Sequence, residues 1–126
     1  ELENVLDKAF ERISRFHREL FTIRFGKNVV NLLCRDIVYL ESNKRKVIVH
    51  TVRGEYEYYH KLDEAEEELL AISADFVRIH KAYLVNMEHV EAFQYEKLAL
   101  RDGTILSISE AHRANVRSRF WEWGSE

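Results

Sequence analysis

The sequence predicts a mainly β domain, with about nine or ten short strands and a few helices placed between and around them. The apolar pattern first changes to a period of two where Phe21, Ile23 and Phe25 alternate with polar residues, as in a half-buried strand. Similar runs rich in β-branched and aromatic residues recur along the rest of the chain. Asp102-Gly103 stands between two of these runs and is the strongest short-range hairpin signal.

The predicted strands follow one another with short polar interruptions. Turn formers such as Gly26-Lys27-Asn28 and Arg53-Gly54 separate several of them. The predicted strands cover residues 21–25, 29–33, 36–40, 47–52, 56–59, 76–79, 83–85, 90–94, 97–101 and 104–108.

Helical periodicity predicts an N-terminal, an internal and a C-terminal helix. Residues 1–19 form a linker or connecting helix in front of a domain that spans residues 20–126. This first helix either docks on its own domain or leads in from an upstream domain, and the pattern favours neither. Asp63 is the expected cap of the internal helix, with Glu66 at capping-box spacing, and Ser109 is the expected cap of the last helix.

Size and composition exclude several classes of protein. The 126 residues suit one domain with its own core, and no run of 18 apolar residues could span a membrane. Cys34 is the single cysteine, so an internal disulfide is impossible, and its apolar surroundings predict a buried, inert thiol. The net charge of −3 argues against nucleic-acid binding, but a binding face needs only a local excess of cations.

Neither a catalytic site nor a metal site is expected. No nucleophile elbow, P-loop or zinc-type histidine pair occurs among these residues, and no cofactor is predicted. His50 and His60 are expected to face each other across the turn at Arg53-Gly54, which alone is weak evidence for a metal. The run of glutamates at the start of the internal helix is interpreted as a solvated face.

Local clusters of positive charge are more informative. Residues 43–46, Asn-Lys-Arg-Lys, form a basic loop between two strands, and Lys81 lies in the break between two others. Arg113 and Arg117 lie four residues apart on one face of the last helix. Loops and helix starts on a rigid β frame commonly carry binding groups.

Two sequence motifs flank the basic loop and the acidic helix. D-I-V-Y-L-E-S stands at residues 36–42, and residues 76–86 match F-x-R-x-H-[K/R]-x-[Y/F]-x-V-N in full. Val90, the turn at residues 102–103 and the segment 106–109 follow in the expected order. Over about residues 20–120 the chain resembles the LytTR DNA-binding domain of bacterial transcription regulators.

The resemblance implies an elongated stack of small antiparallel sheets with helices packed alongside. It also implies that loops, not a recognition helix, enter successive major grooves of direct-repeat DNA sites. The reading loops would be Asn43–Lys46, Lys81 directly after His80, and the segment after Ser109. Many family members carry Arg or Lys directly after that serine, whereas this chain has Glu110, so Arg113 is the substitute candidate.

The predicted DNA-binding set combines base and phosphate contacts. Arg45 can offer two donors to guanine O6 and N7, while the lysines and Arg117 suit phosphates. Either Arg78 or His80 contacts phosphate, or His80 instead holds the adjacent loop; both interpretations stay open. The predicted DNA-binding residues are Asn43, Lys44, Arg45, Lys46, Arg78, His80, Lys81, Arg113 and Arg117.

These features predict the cytoplasmic effector domain of a bacterial two-component response regulator that binds promoter DNA. The implied partners are double-stranded DNA, a second copy of the domain on DNA, and an upstream receiver or sensor domain. No membrane contact is expected within this chain. The alternative is a β-scaffold protein–protein interaction module without DNA binding. Its binding surfaces would carry Tyr56, Tyr58, Tyr59, Trp121 and Trp123.

Overall fold

The computed structural model describes residues 19–124, which form ten strands and two α-helices. The predicted connecting helix over residues 1–19 therefore lies outside the described residues, apart from Glu19. The helices are α1 (Leu62–Leu70) and α2 (Arg113–Gly124). The strands are β1 (Leu20–Phe25), β2 (Asn28–Leu33), β3 (Ile37–Asn43), β4 (Lys46–Thr51), β5 (Gly54–Tyr59), β6 (Phe76–His80), β7 (Tyr83–Asn86), β8 (Val90–Phe93), β9 (Lys97–Leu100) and β10 (Ile105–Ser107).

The strands form three small antiparallel sheets, which confirms the predicted mainly β fold. β1 and β2 make a two-stranded hairpin, and β8, β9 and β10 make a three-stranded sheet. The central sheet has five strands in the order β5-β4-β3-β7-β6. The predicted turn at Asp102-Gly103 connects β9 to β10, and Gly103 has a positive φ of 96°, which favours glycine.

The five-stranded sheet has a core on each face, because its buried strands are apolar on both sides. Leu84 packs in one core with helix α1 and the β1–β2 hairpin. Its neighbour Val85 packs in the other core with the three-stranded sheet and α2. Consecutive strand residues point to opposite faces, so this alternation stacks the sheets and helices into layers.

One buried polar side chain, Asn86 at the end of β7, binds the backbone at the start of β3. Asn86 is 1 % exposed, and its Nδ2 donates to the carbonyls of Cys34 (3.1 Å) and Ile37 (2.9 Å). Its Oδ1 accepts from the Glu88 amide (3.0 Å), so the same side chain also holds the turn that follows β7. Burial raises the pKa of the adjacent Cys34 thiol to about 12, consistent with the predicted inert thiol.

Three local predictions were wrong. Helix α1 begins at Leu62, after Lys61, so Asp63 is not its cap and instead forms an ion pair with Arg78. Ser109 precedes a 3₁₀ turn, Glu110–His112, rather than α2 itself. In the β4–β5 hairpin His50 pairs with Glu55 and not with His60, because the two-residue turn fixes that register.

Neither helix in the described range is long and apolar enough to cross a lipid bilayer.

Candidate nucleic-acid interface

The three predicted loops meet along one edge of the fold. The Ser42 amide at the end of β3 donates to the Ala82 carbonyl in the β6–β7 turn at 2.8 Å. The Ser109 amide donates to the Ile79 carbonyl near the end of β6 at 2.9 Å. The first bond joins residues 40 apart in the sequence and the second joins residues 30 apart, with the β6–β7 turn between the other two loops.

The β3–β4 turn presents two exposed cations. Asn43 and Lys46 pair across the hairpin, which leaves Lys44 and Arg45 as the turn residues. Lys44 has a φ of 60°, the left-handed conformation that is uncommon for a residue other than glycine. The Arg45 carbonyl accepts from the His60 amide at 3.2 Å, so the turn is tied to the chain entering α1.

Lys46 is held by its own sheet. Its Nζ donates to Glu57 Oε1 at 2.9 Å and lies 4.9 Å from the centre of the Tyr59 ring. The hydrogen bond to Glu57 raises the pKa of Lys46, so the amine stays charged beside a matched carboxylate. The predicted phosphate contact at Lys46 would therefore compete with Glu57, whereas Lys44 and Arg45 have no ion-pair partner among residues 19–124.

The β6–β7 turn exposes Lys81 on a backbone that is bonded from several sides. Arg78 Nε donates to the His80 carbonyl at 2.7 Å, and Arg78 Nη2 donates to the Lys81 carbonyl at 2.6 Å. Arg78 Nη1 donates to Asp63 Oδ1 and Glu66 Oε1 of α1, both at 2.8 Å. The Arg78 side chain is only 12 % exposed, and its guanidinium, which was predicted to contact DNA, hydrogen-bonds groups of its own chain.

His80 holds the same turn from its other side. Its Nδ1 accepts from the Ala82 amide at 3.1 Å, which requires an unprotonated Nδ1. Burial lowers the pKa of His80, and the nearby charges of Lys81, His112 and Arg78 lower it further. A neutral His80 therefore fits the interpretation that it ties down the adjacent loop.

The third connection carries Glu110 at its exposed tip. Ser109 Oγ lies 2.7 Å from His112 Nδ1. Arg113 is half-buried, with Nε donating to the Ile108 carbonyl at 3.2 Å and its guanidinium 5.6 Å from the Tyr95 ring centre. Arg117 is exposed one helical turn further along α2. These two arginines lie beside the third connection and do not line the groove described next.

A groove of about 700 Å³ joins the first two connections. Lys44, Arg45 and Lys81 line it together with Arg78. Most of its remaining lining comes from the end of β5 and the start of α1, which no sequence motif marked. The other lining residues are Ser42, Tyr59, His60, Lys61, Leu62, Asp63 and Glu64. Lys61 adds a fourth exposed cation, and its position directly before the acidic helix start was the available signal.

Two histidines outside the predicted set are each flanked by carboxylates. His50 lies 2.9 Å from both Glu41 and Glu55, and its ring stacks on Tyr39 at 4.1 Å. His60 lies 3.1 Å from Glu68 and 3.6 Å from Glu64. Within the described part of the chain no group of three or more His, Cys, Asp or Glu residues is arranged to hold a metal ion.

Comparisons with known proteins agree on one family. The model of the LytTr DNA-binding domain matches residues 27–121. The sensory transduction protein LytT of Bacillus subtilis (strain 168) is 23 % identical over 112 residues, which cover 85 % of this chain. The chain spans about half of that relative, 46 % of its length. A solved LytTr DNA-binding domain from Bacillus cereus is similar at a TM-score of 0.67 and 20 % identity, covering 79 % of this chain and 94 % of that one.

Proposed function

Because the chain belongs to the LytTr DNA-binding domain family, we propose that it binds double-stranded DNA sequence-specifically through its three connected loops. In this proposal the β3–β4 turn and the β6–β7 turn enter the major groove, and the segment after Ser109 contacts the duplex alongside them. We also propose that the DNA of direct-repeat sites bends on binding and that two copies of the domain bind one such site.

The observation that carries this proposal is the clustering of exposed cations at one edge of an otherwise anionic molecule. Lys44, Arg45 and Lys81 line one groove although the net charge is −3. Cations on one face attract phosphates more strongly than the total charge suggests. The two backbone bonds from Ser42 and Ser109 fix the spacing of the loops, which sequence recognition requires.

Different side chains take different roles. Arg45 donates in a fork to guanine O6 and N7, the commonest base-specific contact. Lys44, Lys46, Lys81 and Arg117 contact phosphates and set the register. Glu110 would repel phosphate at the third connection. Arg113 lies nearest to it and contacts the DNA there instead, once its guanidinium turns from Tyr95. Asn43 closes the first turn at its base.

The proposed biological role is transcription regulation as the cytoplasmic effector domain of a bacterial response regulator. It is supported by the relative of 23 % identity, whose name describes sensory transduction, and by this chain's match to about half of that relative. A receiver or sensor domain upstream of residue 1 is proposed to control pairing on DNA.

A triple substitution tests the DNA-binding edge. We expect K44A/R45A/K81A to lower affinity for duplex DNA by about 100-fold or more, since it removes phosphate contacts and one base contact. The duplex is chosen by selecting bound oligonucleotides from a random pool, and binding is measured by gel shift over a salt titration. Two similar half-sites about one helical turn apart are expected in the selected pool.

A charge-matched control separates the edge from general electrostatics. Arg24, Lys27 and Arg53 are exposed and do not line the groove, so R24A/K27A/R53A should bind with nearly wild-type affinity. Thermal unfolding of both triple variants confirms that each is folded. Equal losses in the two variants, or an affinity that does not respond to salt, would contradict binding through this edge and favour the protein-interaction alternative.

A further inference from the structure

The guanidinium of Arg78 links helix α1 to the β6–β7 turn. Four of its five N–H donors have acceptors in the described chain, namely two helix carboxylates and two turn carbonyls. A fork-shaped contact to phosphate or guanine needs two free donors, and Arg78 has one left. Its side chain is 12 % exposed, so the remaining donor has little access to a duplex.

We propose that Arg78 is a positioning residue that fixes the direction of Lys81 toward DNA and does not itself contact DNA. This inference rests on the proposed function of the groove. It assigns to Arg78 a different role from the phosphate contact that the sequence motif suggested. The acidic start of α1 is then part of the binding machinery, because Asp63 and Glu66 hold the guanidinium in place.

The backbone of the β6–β7 turn is hydrogen-bonded at several positions. Arg78 binds the carbonyls of His80 and Lys81, His80 Nδ1 accepts from the Ala82 amide, and the Ala82 carbonyl accepts from Ser42. The Lys81 side chain makes none of these bonds, and it is exposed. A turn fixed before binding loses less conformational entropy on binding, so its affinity is higher than that of a mobile turn.

The same contacts also remove unfavourable charge from the groove. Asp63 lines the groove, and Glu66 lies beside it on α1. Each carboxylate is paired with the Arg78 Nη1 group at 2.8 Å, which offsets its repulsion of an approaching phosphate. Arg78 therefore holds the conformation of the turn and also reduces the negative electrostatic potential in the groove.

The variant R78K distinguishes positioning from direct contact. Lysine keeps the positive charge and can still pair with one helix carboxylate, but a single ammonium cannot span two carboxylates and two carbonyls. We expect R78K to lower DNA affinity about tenfold, the cost of reordering a few backbone torsions on binding. The slope of log affinity against log salt should stay at its wild-type value, because no phosphate contact is lost.

K81A is the matched variant in the same turn. In K81A the slope of log affinity against log salt should be smaller in magnitude by about 0.9, the value for one phosphate contact. The amides of Ala82 and Ser42 report the turn without DNA: their hydrogen exchange should be faster in R78K and unchanged in K81A. Asp63 is exposed and Glu66 is partly exposed, so water can hydrate both carboxylates in R78K and the domain should stay folded. Urea unfolding checks this.

The outcomes separate this inference from the proposed function. The inference is wrong if R78K binds DNA like the wild type and the slope of log affinity against log salt is smaller by about 0.9 in R78A. Arg78 would then be a phosphate contact. Unchanged amide exchange in R78K also overturns it. If the wild type itself shows no salt-sensitive DNA binding, the proposed function fails, and the exchange measurement still decides whether Arg78 positions the turn.

Discussion

The two cationic turns of the proposed DNA-binding edge are held very differently. The β3–β4 turn presents Lys44 and Arg45 beyond the end of a hairpin, with one backbone bond from His60 to the Arg45 carbonyl. The β6–β7 turn presents Lys81 from a backbone that Arg78 and His80 bond on both sides. We therefore expect the side chains of the first turn to adjust to the duplex, and the second turn to keep one conformation before and after binding.

The largest expected effect comes from the adjustable turn. Arg45 and Arg53 lie in the two turns at opposite ends of β4, and both are exposed. R45A should lower the affinity for the selected DNA site by about 1–3 kcal/mol, the value of one bidentate guanine contact. R53A removes the same charge and should change affinity little.

Competition with mutated sites sharpens this test. R45A should also lose the preference for guanine at one position, as measured by binding to duplexes substituted there. If R53A and R45A lose affinity equally, the effect is long-range charge and the β3–β4 turn makes no specific contact.

A smaller effect is expected on stability from the backbone of the same turn. Lys44 has a φ of 60°, which costs a residue with a Cβ about 1 kcal/mol relative to glycine. K44G should therefore be more stable than K44A by about that amount in urea unfolding, while both variants lose the same phosphate contact. Equal stability of K44G and K44A would show that the turn is not strained.

The smallest effect is expected from pH at the fixed turn. The pKa of His80 is lowered by burial, so the unfolded chain binds more protons than the folded domain between the folded pKa and about 6.5. The free energy of unfolding should therefore rise with pH through this window and fall on acidification. Lys81, His112 and Arg78 are the charged or titratable groups that contribute to this shift.

H80N is the control for this pH dependence. The asparagine Oδ1 can replace Nδ1 as the acceptor for the Ala82 amide but does not titrate in this range. The pH slope of the unfolding free energy should be smaller in H80N than in the wild type between pH 5 and 7. Identical slopes would mean that His80 titrates alike in the folded and unfolded chains.

Local sequence signals predicted much of the fold. The alternation of Phe21 and Ile23 with polar residues predicted a half-buried strand, and both side chains are buried in β1. The turn at Asp102-Gly103 could be predicted because this pair is a strong hairpin signal, and it connects β9 to β10. These features depend on neighbours within a few residues, which a sequence shows directly.

Contacts between distant segments could not be predicted in the same way. The partners of Arg78 on α1 lie 15 and 12 residues earlier, and the sequence motif around Arg78 gives no hint of them. Asp63 was a plausible helix cap by type, but α1 begins one residue before it. The register of the β4–β5 hairpin depends on its turn length, so the expected pairing of His50 with His60 was wrong.

The candidate site was predicted by residue type and completed by topology. The motifs named the three loops, but only the bonds from Ser42 to Ala82 and from Ser109 to Ile79 bring them to one edge. The walls of the groove that come from β5 and α1 carry no motif of their own. Pairing of Lys46 with Glu57 across a hairpin also required the strand register.

The most direct test of the account is an amide chemical-shift map of the ¹⁵N-labelled domain titrated with its selected duplex. Binding at the proposed edge predicts the largest shifts at residues 43–46, 80–82 and 109–117, and small shifts elsewhere. Shifts confined to the β1–β2 hairpin, or to the β4–β5 turn around Arg53, would contradict it.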